Sequence, residues 1–145
     1  MNTLKRFLLV MLVSGLPFGF AVAELDDVHK LVIQVSTSNS KLQTMALNNA
    51  VNVLKHFEPG EVKVEIVAYG PGLSILMKNK KNKLAKRVAS LASSDITFSA
   101  CNNTMKKIES KTGKKPVLVE GVKVVPAGVV RIMWLQEKGY SYIRP

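Results

Sequence analysis

The residues most often used for catalysis and metal binding are scarce in this 145-residue chain, which holds one cysteine, two histidines and three aspartates. A lone cysteine, Cys101, excludes an internal disulfide. His29 and His56 fall in different segments with no cysteine or carboxylate at ligand spacing, which argues against a metal site. Asp26, Asp27 and Asp95 give a Ser-His-Asp arrangement little to build on. Aromatic residues make up only 6% of the chain and none is interleaved with the lysine clusters, so a stacking platform for single-stranded nucleic acid is unsupported. Negative charge is sparse too, with 10 acidic against 21 basic residues.

The one long apolar run stands at the amino terminus. "MNTLKRFLLVMLVSGLPFGFAVAELDD" begins with Lys5 and Arg6, continues through an apolar stretch broken by Gly15 and Pro17, and places Ala21 and Ala23 for cleavage before Glu24. That pattern is a secretory signal peptide over residues 1–23, followed by an exported domain over residues 24–145. The run is too short and interrupted for a membrane span, and no cysteine is placed to accept a lipid anchor. The expected location is the periplasm of a Gram-negative cell. Cleavage removes two basic residues and no acidic ones, which lowers the formal charge from +11 to +9. Eleven of the remaining nineteen Lys and Arg residues lie in Lys78–Arg87 and Lys106–Lys115. Such stretches read either as a solvated surface or as a cationic face for anionic partners.

Beyond the leader, apolar blocks alternate with helical patterns. "HKLVIQVST" from His29 reads as a buried strand. The helix after it has cap candidates in Ser38 to Ser40 and an apolar face of Leu42, Met45, Ala46, Val53, Leu54 and Phe57. "EVKVEIVAY" is a second strand, closed by the breaker Gly70-Pro71-Gly72, which reads as a loop. One broken or two short helices follow around the first lysine cluster. "ITFSA" is a third strand, and "NNTMKKIESKTG" a helix capped by Asn102 or Asn103 and stopped by Gly113. "VKVV" is a fourth strand, Pro126 opens a last helix, and "YSYIRP" supplies an edge strand. This alternation predicts one α/β domain, a three-layer α/β/α sandwich with a mainly parallel sheet of about five strands.

In such a sheet the strand-to-helix loops emerge together at the carboxyl ends of the strands, where ligands bind. Cys101, Asn102 and Asn103 share that edge with Tyr69, Gly70, Gly72 and Gly128. Cys101 stands before a helix, whose free N–H groups and dipole favour a thiolate, and Lys106 and Lys107 would add to the effect. An accessible sulfur there suits a nucleophile or sulfur carrier; an inert thiol filling a corner is the competing reading. Asn49 is flanked by apolar residues and is expected to point inward, either to tie down backbone or to touch a ligand. The Gly70 loop lacks the lysine and hydroxyl of a phosphate-binding loop, and no cofactor is implied. Val129, Val130, Ile132, Met133, Trp134 and Leu135 cover almost the whole last helix, which predicts either internal burial or coverage by a second subunit.

Four blocks in order, "ALNNAVNV", "VEIVAYGPGL", "FSACNNTM" and "VVPAGVVRIMWLQEKGYSYIRP", resemble the DsrE/DsrF-like family, specifically an exported branch of it. The resemblance implies a YchN-like fold assembled as trimers or hexamers. In the sulfur-relay members, a cysteine after a central strand carries sulfur as a persulfide, and Cys101 occupies the matching position. Those members are cytoplasmic and work with dedicated partners, whereas this chain carries an export signal. The resemblance implies a sulfur acceptor, enzymatic at most in transferring sulfur. Read alternatively, the glycine loops, Asn49 and the basic face make a binding module for a small anion or small molecule, or the last helix makes an assembly protein with an inert cysteine. The expected partners are a sulfur donor or small anionic ligand and further copies of the chain, joined through the helix around Trp134.

Overall fold

A computed structural model describes residues 28–145, so the expected leader lies outside the described residues. Five strands, β1 (His29–Val35), β2 (Val62–Ala68), β3 (Ile96–Cys101), β4 (Lys123–Val125) and β5 (Ser141–Ile143), form one sheet in the order β4-β3-β2-β1-β5. Every strand pairing within that sheet is parallel. Helices α1 (Ser40–His56), α2 (Ala85–Ala92), α3 (Asn102–Thr112) and α4 (Gly128–Glu137) alternate with the strands as the sequence pattern predicts.

The order of strands dictates the layers. From β1 to β4 the chain steps across the sheet in one direction, and right-handed crossovers then place the intervening helices on one face. From β4 it returns to the far edge, and the same handedness puts α4 on the opposite face. The two cores follow the period-2 alternation of the strands. Leu31, Ile33, Val35, Val64, Ile66, Phe98 and Ala100 pack with α1, α2 and α3. Val32 and Val67 point the other way and meet Ile132 and Leu135 of α4.

Asn39 caps α1, its side-chain oxygen accepting from the Lys41 and Leu42 N–H groups at 2.9 and 3.3 Å. The buried stripe of α1 is Gln43, Ala46, Leu47 and Ala50, with Val53, Leu54 and Phe57 packed partly against the core. It is rotated from the face expected from the sequence, and Met45 stands exposed. The inward amide is Gln43 rather than Asn49: Gln43 Nε2 donates to the Thr37 carbonyl and to Ser74 Oγ, both at 2.8 Å. Asn49 is half-buried on the flank of the stripe.

Gly70-Pro71-Gly72, expected as a loop, instead opens a 3-10 helix, Gly70–Leu76, that takes in the residues read as helical after it. Pro71 is suited to a first turn, where its missing N–H costs nothing, and Leu73, Ile75 and Leu76 are buried beneath it. The lysine-rich connection after it is held by Asn82, whose Nδ2 donates to the carbonyls of Ile75 and Met77 at 2.7 and 2.8 Å.

On its own face of the sheet, α4 is anchored by charge. Arg131 Nε and Nη2 grip both oxygens of Glu65, at 2.8 and 2.7 Å, and Ser99 Oγ donates to Glu65 Oε1 at 2.6 Å. Glu65 is only 3% exposed, so the bidentate fork offsets the cost of burying its carboxylate in mid-strand. That contact raises the Arg131 pKa above its ordinary value, against an opposing effect of partial burial. Arg131 thereby keeps α4 from being covered with apolar residues all round.

Gly72 decides how closely this scaffold packs. A Cβ there would lie 2.1 Å from the Val35 carbonyl oxygen, whereas at Gly70 it would meet nothing and only the φ of +53° is unfavourable. Gly72→Ala is expected to destabilise the fold by about 3 kcal/mol through backbone displacement. Gly70→Ala should cost only about 1 kcal/mol. Thermal unfolding of the two variants checks the ranking.

Candidate functional site

In an open α/β sheet, a crevice forms where neighbouring strands send their helices to opposite faces. Here that point lies between β3, which leads to α3, and β4, which leads to α4. Cys101 is the last residue of β3 and pairs with Val125, the last residue of β4. In the strand alternation its side chain follows Thr97 and Ser99 toward the α4 side. Both helices therefore begin beside the sulfur.

The strand runs into α3 without a loop. Cys101 is the N-cap residue, and Asn102 and Asn103, expected as caps, are instead the first two helical residues. The free N–H groups of the first turn consequently point back toward Cys101 Sγ. From the other side comes the N–H of Gly128, the first residue of α4. Gly128 is buried against Tyr69, where a Cβ would lie 2.9 Å from Tyr69 Cδ1, so glycine lets the start of α4 approach. Thr104 closes the ring: its hydroxyl oxygen accepts from the Gly70 N–H at 2.9 Å while the hydroxyl faces the sulfur. Asn103 N–H also donates to the Pro126 carbonyl at 3.3 Å, which joins the α3 start to the α4 start.

Cys101 is 5% exposed, more enclosed than the accessible rim expected from sequence. Its enclosure is polar on the side that matters. Burial pushes the thiol pKa up, but the Thr104 hydroxyl and the N–H groups of Gly128, Thr104 and Asn103 together outweigh it and hold the pKa below the ordinary value. No side chain caps α3 by full hydrogen-bond geometry, so the effect is collective. Lys106 and Lys107, expected to help, play no part in that lowering.

The other sequence candidates separate by position. Tyr69, Gly70 and Asn103 join Thr104 in bordering a cavity between the 3-10 helix and α3. Gly128 belongs to the sulfur's own surround, and Asn102 is half-buried at the head of α3. Gly72 is buried against Val35 and serves packing. Asn49 does not border that cavity. Sequence reasoning missed Thr104, although its place three residues past a helix-preceding cysteine is a cue for a hydroxyl turned back to the sulfur. It also missed the Glu65–Arg131 pair, which strand alternation alone does not signal.

The model of the DsrE/DsrF-like family matches residues 29–145. The chain belongs to the DsrE/DsrF-like family. Among solved structures it is similar to a protein of unknown function, MTH1491, from Methanobacterium thermoautotrophicum. The two are 28% identical, with a TM-score of 0.71 over 81% of this chain and 99% of that one. No curated protein matches this chain. The all-parallel five-stranded sheet agrees with this DsrE-like architecture, as the sequence resemblance implied.

A thiol whose folded pKa is lowered adds stability above its unfolded pKa of about 8.5 and loses it as pH falls through the folded value. The difference in melting temperature between the protein and Cys101→Ala should therefore widen with rising pH. Ultraviolet titration of the thiolate should give a midpoint below that of an ordinary thiol, and Thr104→Val should raise that midpoint.

Proposed function

We propose that this protein is an exported sulfur acceptor in which Cys101 carries a sulfane sulfur as a persulfide. The observation that carries the reading is the convergence of two helix starts and the Thr104 hydroxyl on one buried sulfur, which favours its thiolate. An inert packing cysteine needs no such surround. The thiolate attacks the terminal sulfur of an organic persulfide donor, forming a new S–S bond on Cys101. The donor S–S bond breaks, and its electron pair leaves on the donor thiolate. The step consumes no external oxidant or reductant. The N–H groups that favour the thiolate also suit the anionic persulfide that follows. Burial favours a donor that is slim at its reacting end and shields the product from wandering thiols.

Export rests on the leader pattern of residues 1–23, with the periplasm as the place of action. Among the described residues no helix is long and apolar enough to cross a membrane.

The protein acts as a homo-oligomer through α4. Val129, Met133 and Trp134 are 64%, 50% and 48% exposed, respectively. Five strands at ordinary spacing span about 19 Å between the outermost axes. A single helix about 10 Å wide covers roughly half of that face. Tyr142, on the same side at the sheet edge, leaves further apolar surface open while its hydroxyl donates to Gln34 Oε1 at 2.6 Å. A second copy laid over α4 covers what the monomer leaves bare.

Two measurements test these readings. Protein incubated with a small organic persulfide, alkylated and weighed by mass spectrometry should gain one sulfur atom on the Cys101 peptide, and Cys101→Ala should gain none. Sulfur appearing elsewhere, or nowhere, sinks the carrier role. Trp134→Glu should lower the mass seen by light scattering, and an unaltered mass removes α4 from the interface.

A further inference from the structure

Beside the sulfur, and separated from it by Thr104, lies a cavity of about 570 Å³ between the 3-10 helix and α3. That size lies within the range of small-molecule sites, which run from about 300 to 1,000 Å³. Its walls are mainly carbon, from Tyr69, Pro71, Met77 and Ile108. Its charged groups are Lys107 and Lys111, and no acidic residue borders it. The two lysines are four residues apart on α3 and so share one face of the helix, where like charges repel. Glu109, two residues from each, projects away from both. Among the described residues, neither lysine forms a salt bridge. Lys111 lies in the last turn of α3, where the helix dipole favours a cation, but Lys107 has no such local reason to be basic.

We propose that this cavity is a binding site for an amphiphilic organic anion, a carboxylate or sulfonate held by Lys107 and Lys111 with its apolar body laid against Tyr69, Pro71, Met77 and Ile108. Charge and lining select the class together. An inorganic anion satisfies the lysines and leaves the carbon walls wet, whereas a neutral hydrocarbon fills the cavity and leaves two like charges unrelieved. A molecule bearing both parts answers both. The site stands apart from the thiol chemistry, because Cys101 is not in its wall. Thr104, which borders both, makes an occupied cavity a neighbour of the sulfur.

Decanoate is the probe, with decanol and decyltrimethylammonium as its neutral and cationic counterparts, titrated into the purified protein by calorimetry. Decanoate should bind, the cation should not, and decanol should bind more weakly than decanoate. The double variant K107Q/K111Q changes only exposed side chains and should weaken decanoate about tenfold, as expected for loss of charge-assisted contacts. Ile108→Trp should fill the cavity and abolish binding while circular dichroism remains that of the folded protein. Cys101→Ala should bind decanoate normally even if it takes up no sulfur, which separates this site from the carrier role. The proposal is overturned if decanoate does not bind, if the cation binds equally well, or if K107Q/K111Q retains full affinity.

Discussion

The handedness of the crossovers governs this molecule. Because the chain crosses the sheet in one direction through β4 and then doubles back to the opposite edge, α3 and α4 must leave adjacent strands toward opposite faces. Two helix starts are thereby brought to one point, and the only cysteine stands there. The sulfur's electrostatic setting is thus a product of topology first and of local sequence second. Gly128 and Thr104 refine it, one by letting a backbone approach and the other by supplying a hydroxyl.

The α4 face shows what is needed to hold that arrangement with little apolar area. Ile132 and Leu135 bury their side chains on Val32 and Val67, a small core beside the one on the other side of the sheet. The forked contact of Arg131 with Glu65, backed by Ser99, fixes the position of the helix along the sheet. A carboxylate in the middle of a central strand is costly to bury unless its partner arrives in one orientation, so the pair selects the docking geometry as much as it strengthens it.

Much of this was legible in the residue pattern. Parallel strands alternating with helices, an edge strand and the place of Cys101 between the third strand and the helix after it all follow from periodicity and from Gly and Pro punctuation. The failures have physical causes. Asn49 and Gln43 lie on the same helix, and only the position of the 3-10 helix beneath α1, with Ser74 and the Thr37 carbonyl ready to accept, decides which amide turns inward. Asn102 and Asn103 look like caps because asparagine often caps helices. The strand continues to Cys101 and leaves both of them inside the first turn. The breaker Gly70-Pro71-Gly72 became helical because the residues after it had a core to enter.

The surround of Cys101 draws on residues 103, 104 and 128, the last of them contributed only after β4 has paired and α4 has docked. A chain in which α4 has not docked accordingly lacks one of the N–H groups that lower the thiol pKa, and its sulfhydryl is less acidic than that of the folded protein. The acidity of that sulfur is therefore coupled to the closing of the final crossover.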